Sequence, residues 1–280
     1  MAIFVTGDTH GPGGILSRLN ANYFPQQKSL TKNDYVVICG DFGGVWEPAK
    51  ESKEESYVLD WLERKNFTTL FVPGNHENYN RLTGILDPKA LDSWIFKGEL
   101  DVYPQKSWHG GKVRELRPSV LMLERGYVFN IDGCSCFAFG GANSHDISDG
   151  VFPAEQFGTK KAYEIAKSSW VYEKRRIMFR VNHISWWKQE MPTQQEMEHG
   201  LGVLEHHNFN VDFIFTHDCS TANKVLLLGQ GADSDKLNKY FDLVKSKTKY
   251  RKWFFGHYHD NVVLSGGKDI LLYEKIIQVK

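Results

Sequence analysis

Five short apolar runs in this chain end on the same kind of polar punctuation. "AIFVT" (2–6) breaks at "GDTHG", "YVVIC" (35–39) at "GDFGG" and "TLFV" (69–72) at "PGNHEN". Much later, "VDFIFTHD" (211–218) and "KWFFGHYHD" (252–260) repeat the pattern. Apolar runs this short, bounded by turn residues, read as strands buried on both faces. Between the second and third runs lies "ESKEESYVLDWLERK", whose Tyr57, Val58, Trp61 and Leu62 share one helical face. Strand, helix, strand with glycine-rich exits predicts βαβ units and a largely parallel sheet.

The rest of the chain fills out the same plan. Residues 113–140, with most of "RGYVFNIDGCSCFAFGG", read as strands joined by hairpin-like turns. "TQQE" (193–196), after Pro192, has the capping-box pattern of a helix start. The tail "NVVLSGGKDILLYEKIIQVK" predicts a closing hairpin around "SGGKD". The expected architecture is α/β, a single domain over 1–280 in which two mixed β-sheets are flanked by helices, with an elaborated insert at about 78–210. A chain that is 41% hydrophobic and 24% charged has the apolar content for such a core.

Charge narrows the partners. Lys and Arg number 34, as do Asp and Glu, so no global electrostatic footprint for nucleic acid or an anionic membrane exists. The local basic runs "KSKTKYRK" (245–252) and "EKRR" (173–176) read as solvated helix faces. "MAIFVTGDTHG" lacks the charged and apolar regions of a signal peptide. No apolar run approaches the roughly 18 residues of a membrane span. Cys39, Cys134, Cys136 and Cys219 are few and scattered, and the first three sit in apolar runs as buried thiols do. A cytoplasmic protein with reduced cysteines is the expectation.

The strand ends carry the chemistry. In order they offer Asp8 and His10, Asp41, Asn75 and His76, His217, then His257 and His259. A single Asp or His after a strand is usually a cap or turn residue. Five such clusters are not explained that way: ligands bind outside the carboxyl ends of the strands in α/β sheets, where residues about 250 positions apart converge. Imidazole, carboxylate and one amide oxygen, with no cysteine, suit Mn²⁺ first, and also Fe²⁺, Zn²⁺ or Ni²⁺. Seven donor residues (all of these but His76) are too many for one such ion that also binds substrate. They suit two ions sharing a bridging carboxylate, the arrangement that clamps attacking and leaving oxygens in phosphoryl transfer with metals about 3.5–4 Å apart.

"GDTHG", "GDFGG", "GNHE", "FTHD" and "GHYH" resemble, in order and over residues 7–259, the D-x-H, G-D, G-N-H-[DE], H and G-H-x-H blocks of the calcineurin-like metallophosphoesterase superfamily. The fold implied is that family's four-layer sandwich. By this resemblance Asp8, His10 and His259 hold one metal, Asn75, His217 and His257 hold the other, and Asp41 bridges both. His76 is then the group that contacts phosphate or protonates the leaving oxygen. The turn after Gly256 is expected to send His257 and His259 to different ions. The reaction implied is hydrolysis of a phosphate ester by in-line attack of a hydroxide held on the metals, with no covalent nucleophile.

The departures bear on substrate. Protein phosphatases of the superfamily carry arginines in GDxxDRG and RGNHE, whereas this chain has Gly44, Val45 and Pro73 in those blocks. Arg81, Arg114, Arg125 and Arg180 are left as substitutes. Within the insert, "GGANSHDISDG" (140–150) and "HISWWKQEMP" (183–192) are suited to a substrate-facing rim, while His206 and His207 close a helix and face solvent. The block pattern is similar to that of bacterial and phage-type enzymes, a Ser/Thr-phosphatase-like branch of undefined substrate. Missing arginines lean toward diesters and Glu77 leans toward phosphatases. The balance is phosphatase-type monoester hydrolysis, with small diesters or nucleotides second. A non-hydrolytic metal-binding regulatory module is the reading from another class, and retention of His76 argues against it.

Overall fold

A computed structural model of the chain describes residues 1–172 and 178–280. The basic run at 173–176 lies outside the described residues.

Strands β1 (Ile3–Thr6), β2 (Tyr35–Cys39) and β3 (Thr68–Val72) pair parallel, in register from Ile3 with Tyr35 and from Tyr35 with Thr68. Helices α1 (Pro12–Arg18) and α2 (Lys53–Glu63) are the two crossovers. After α3 (Tyr79–Thr83) come β4 (Gln105–Trp108), β5 (Gly111–Arg117) and β6 (Val120–Leu123). Parallel pairing of β6 with β3, and antiparallel pairing of β6–β5 and β5–β4, extends this sheet.

The second sheet opens with the hairpin β7 (Tyr127–Ile131) and β8 (Cys134–Phe139). A long excursion follows, containing β9 (Val151–Phe152), α4 (Lys160–Tyr172) and β10 (Arg180–Val181), with β9 and β10 paired to each other. The chain returns through α5 (Gln194–His206), β11 (Phe213–Thr216), α6 (Thr221–Leu228), α7 (Lys236–Lys247) and β12 (Lys252–Phe255). It closes with β13 (Val262–Leu264), β14 (Asp269–Leu271) and β15 (Ile277–Gln278). The sheet orders are β15-β1-β2-β3-β6-β5-β4 and β13-β14-β12-β11-β8-β7. Residues 105–139 of the stretch read as insert thus supply strands to both sheets, and 84–104 and the described residues of 140–192 lie outside those two sheets. The tail hairpin forms as expected between β13 and β14, and β15 then crosses to pair with β1 in the first sheet.

Alternation along each strand sets the layers. Val5, Val37 and Leu70 face Phe129, Phe213 and Phe254 in a core between the sheets. Their neighbours Phe4, Val36, Ile38 and Phe71 pack outward against Ile15 of α1, Leu19 just after it, and Val58, Leu59 and Leu62 of α2. On the opposite side Phe137, Ile214, Trp253 and Phe255 meet Met197, Leu237, Phe241 and Val244 of α5 and α7. Helices, sheet, sheet, helices is the four-layer order, and strands apolar on both faces are its consequence.

Two readings of α2 and α5 can be checked residue by residue. Thr193 and Glu196 form the capping box predicted from "TQQE". On α2 the buried stripe is Glu55, Val58, Leu59 and Leu62, and Tyr57 is solvent-exposed, contrary to its expected place on the apolar face. The stripe is rotated because Glu55, a charge that pattern reading puts outside, is buried by its 2.7 Å ion pair with Arg81. Among the described residues no helix is long and apolar enough to cross a membrane.

Candidate metal centre

Parallel pairing places the carboxyl ends of β1, β2 and β3 side by side in one sheet, and those of β11 and β12 side by side in the other. The exits are then laced together by main-chain bonds. Thr9 and His10 both donate N–H to the Asp41 carbonyl, at 3.1 and 2.8 Å, and Gly256 donates to the His217 carbonyl at 3.0 Å. Four of the expected site residues take a left-handed backbone: His10 (φ 49°), Asp41 (φ 43°), His257 (φ 70°) and His259 (φ 49°). Each such residue costs on the order of 1–3 kcal/mol, which only a strongly determined surrounding holds in place. The turn that separates His257 from His259 is therefore made by the histidines themselves and not by Gly256. Gly256 is needed for a different reason: a Cβ there would stand 1.9 Å from Asp8 Oδ1. Likewise a Cβ on Gly40 would stand 2.1 Å from His217 Nδ1.

Among the described residues two groups of donors come within 4.8 Å of one another: Asp8, His10 and His259, and Asp8, Asp41 and His217. In the first, His259 Nε2 lies 3.3 Å and His10 Nε2 3.7 Å from Asp8 Oδ2, with the two ring nitrogens 2.8 Å apart. In the second, His217 Nε2 lies 3.4 Å from Asp41 Oδ1 and 3.1 Å from Asn75 Oδ1. Its Nδ1 lies 2.9 Å from the Cys39 carbonyl, so Nδ1 carries the proton and Nε2 presents its lone pair to the cluster. His257 adjoins this half, its ring centroid 5.0 Å from that of His217 and its N–H donated to both Asp8 oxygens at 3.0 and 3.1 Å. It stands outside the two tight donor groups. His76 sits at the edge, its ring 5.7 Å from that of His10 and its N–H donated to Asp41 Oδ1 at 2.9 Å. All eight residues expected at the site are thus brought together.

The electrostatics suit cation binding. Burial opposes ionisation of Asp41, yet His217, first among its histidine neighbours, and the His76 N–H outweigh it and lower the carboxyl. Burial lowers His10, against Asp41 and Asp8, and lowers His257 strongly, reinforced by His217. Burial also lowers His76, where Asp41 opposes it and Arg180 adds to it. Neutral imidazoles at His10 and His257 are ready metal ligands. His217 is raised, the carboxylates of Asp41 and Asp8 overcoming burial, and His259 is raised by its bond to Asp8. Protons on these two compete with a metal.

Several neighbours have no place at the metal site in the sequence reading. Ser144 Oγ accepts from Asn75 Nδ2 at 3.3 Å and donates to Glu190 Oε2 at 2.7 Å, while Ser144 N–H bonds Glu190 Oε1 at 2.9 Å. The His145 ring lies 5.8 Å from that of His257, and Tyr273 stacks on His259 at 4.8 Å. Glu77 accepts from the N–H groups of Phe42 and Gly43 at 2.6 and 3.2 Å, stapling the Asp41 loop; burial and Asp41 push it up to about 8. The rim role given to 140–150 and 183–192 was the only sequence signal for Ser144 and Glu190. Of the four open arginines, Arg81 and Arg114 are paired with Glu55 and Glu124. Arg125 bonds Gly140 O, Tyr79 OH and two further carbonyls inside the protein. Arg180 is paired with Asp146, and its charge acts on His76.

The family model for calcineurin-like phosphoesterases matches residues 1–261. The chain belongs to that family. This calcineurin-like phosphoesterase is accordingly a metal-dependent enzyme acting on phosphate esters, as its ordered motifs imply. The comparison with curated proteins gives no match. Among solved structures it is similar to a phosphopantetheinyl hydrolase from Mycobacterium tuberculosis, at 14% identity and TM-score 0.37, covering 97% of this chain and 88% of that one. It is also similar to a protein from Staphylococcus aureus described as a candidate 5′-nucleotidase, solved with α-ketoglutarate, at 13% identity and TM-score 0.41. That likeness covers 97% of this chain and 48% of the other.

Proposed function

We propose that this calcineurin-like phosphoesterase holds two divalent cations, manganese first among them, and hydrolyses small phosphate esters, monoesters in preference. The observation that carries the dinuclear part is the two-sided Asp41 carboxylate, whose Oδ2 faces His10 Nδ1 at 3.6 Å and whose Oδ1 faces His217 Nε2 at 3.4 Å. The donor set fits the metals. Asp8 and Asp41 are 0% and 1% exposed, and among the described residues no Lys or Arg pairs with either. Buried carboxylates need compensating charge, and dications would supply it here.

Asp8, His10 and His259 would hold one ion, and Asn75, His217 and His257 the other, with Asp41 shared between them. Bound there, the ions would supply water activation and neutralisation of charge on the phosphoryl oxygens. Oxygen from water bonds to phosphorus as the bond to the leaving oxygen breaks, giving phosphate and an alcohol. Asp41 and its histidines set the line of approach, and His76 at the edge donates to the leaving oxygen. Small diesters are the second reading, favoured by Val45 in the outer core and Pro73 where the protein phosphatases carry charge. A single unit over 1–280 is supported by β15 returning to pair with β1. A cytoplasmic setting is supported by four buried, free cysteines.

The test is elemental analysis after manganese loading, together with turnover of p-nitrophenyl phosphate and bis-p-nitrophenyl phosphate. Close to two ions per chain and manganese-dependent turnover are expected, as a bridged pair requires. One ion per chain refutes the dinuclear reading. A diester preference of about tenfold or more, roughly 1.4 kcal/mol, reverses the substrate order.

A further inference from the structure

Arg180 enters from β10, in the excursion between β8 and α5, and is linked to the metal cluster through a short chain of contacts. Asn75 donates to Ser144, and the next residue, His145, lies against His257. Asp146 follows and grips Arg180: Nε donates to Oδ1 at 3.0 Å and Nη2 donates to Oδ2. Arg180 and Asp146 also act electrostatically on His76. The two side chains are 25% and 29% exposed, so the pair is open to solvent and not sealed in the core.

We propose that Arg180 is the substrate-phosphate clamp of this enzyme, with Asp146 as the resting partner that a phosphomonoester dianion displaces. This rests on the reading of the site as a dinuclear phosphoesterase. A guanidinium held by two parallel N–H donors to a carboxylate has the fork geometry that also grips two phosphoryl oxygens. The pair is partly open to solvent, so an incoming phosphate has access to the guanidinium and can replace the carboxylate on it. A monoester dianion outcompetes Asp146 because it brings more charge and is held by the metals at the same time. A diester monoanion has less charge to offer, and its second ester group replaces one of the free oxygens. The excursion thereby supplies the cation that the strand-exit motifs lack, and makes Arg180 the residue that sets monoester over diester preference.

The experiment uses the full chain loaded with manganese. Bound manganese, thermal midpoint and kcat/KM for p-nitrophenyl phosphate and bis-p-nitrophenyl phosphate are measured for wild type, Arg180→Ala, Arg180→Lys and Asp146→Asn. Arg180→Ala should lower monoester kcat/KM roughly ten- to hundredfold, the span of a lost charge-assisted hydrogen bond, with less than about a threefold change for the diester. Arg180→Lys should recover only part, because a lysine lacks the fork. Asp146→Asn should lower KM for the monoester by releasing Arg180. Equal losses on both esters at unchanged manganese content, or full activity in Arg180→Ala, would overturn the clamp and leave the dinuclear reading standing. If wild type binds no manganese or turns over neither ester, both readings fall together. Should Arg180→Ala lower the thermal midpoint or manganese content, the ester ratio of Arg180→Lys decides: an unchanged ratio overturns the clamp.

Discussion

Asp41 sets its Oδ1 3.4 Å from His217 Nε2, across the space between the two sheets' strand ends. Its other oxygen faces His10 at 3.6 Å, so a single carboxylate serves residues from both halves of the cluster. Replacing it by asparagine keeps the left-handed backbone comfortable, since asparagine tolerates that region. Asp41→Asn should therefore fold and yet lose the bridge. Bound manganese is expected to fall from about two ions per chain to below one, with activity lost in parallel. Retention of a single tight ion in both wild type and variant would show that Asp41 joins nothing.

The side chain of His76 is separable from its main chain. Its N–H holds Asp41 Oδ1 at 2.9 Å, and this bond survives truncation of the ring. His76→Ala should lower kcat by roughly 10²–10⁴, the span of a lost general acid or base, while manganese content stays at the wild-type level. Release of metal by this substitution would instead make the imidazole a ligand.

Ser144 aims Asn75. Its hydroxyl proton goes to Glu190 and its oxygen accepts one Asn75 N–H, which leaves the amide oxygen of Asn75 pointing at His217. Removing a group that orients a metal ligand typically costs about 10–100-fold in metal affinity. Ser144→Ala should weaken one of two manganese-binding steps by that amount and leave the other, at Asp8, His10 and His259, unchanged in a calorimetric titration. Equal weakening of both steps would point to general loosening of the fold.

The metal cluster was legible because its residues lie within four positions of a strand end, where apolar run and polar exit are read together. Parallel pairing then does the converging, and sequence order alone implies it. Ser144, Asp146, Arg180 and Glu190 were not legible as a set. Asn75 and Ser144 are 69 positions apart and Ser144 and Glu190 are 46 apart, joined by contacts that no local period encodes. Burial of Glu55 misled in the same way: its partner Arg81 belongs to another helix, so the exposed side of α2 could not be read from α2. The left-handed backbone at His257 and His259 was also hidden, because strain held by surrounding structure leaves no mark on composition.

Glu190 gives a prediction in pH. It is 1% exposed, and burial, with some repulsion from Asp146, lifts its carboxyl to about 7 against the two bonds from Ser144. The unfolded chain releases this proton near the ordinary 4.5. Between those values the folded state holds a proton that the unfolded state has lost, so stability falls as pH rises from about 4.5 to about 7 and is flat in this group's contribution above that. With 1.36 kcal/mol per unit, the loss is on the order of 3 kcal/mol. Glu190→Gln carries no such proton. The difference in unfolding free energy between wild type and variant, followed by urea titration of chelated protein, should shift toward the variant by about that amount across the window. A difference that is constant from pH 4.5 to pH 7 would mean that Glu190 ionises alike in both states, held as a carboxylate by Ser144 despite its burial.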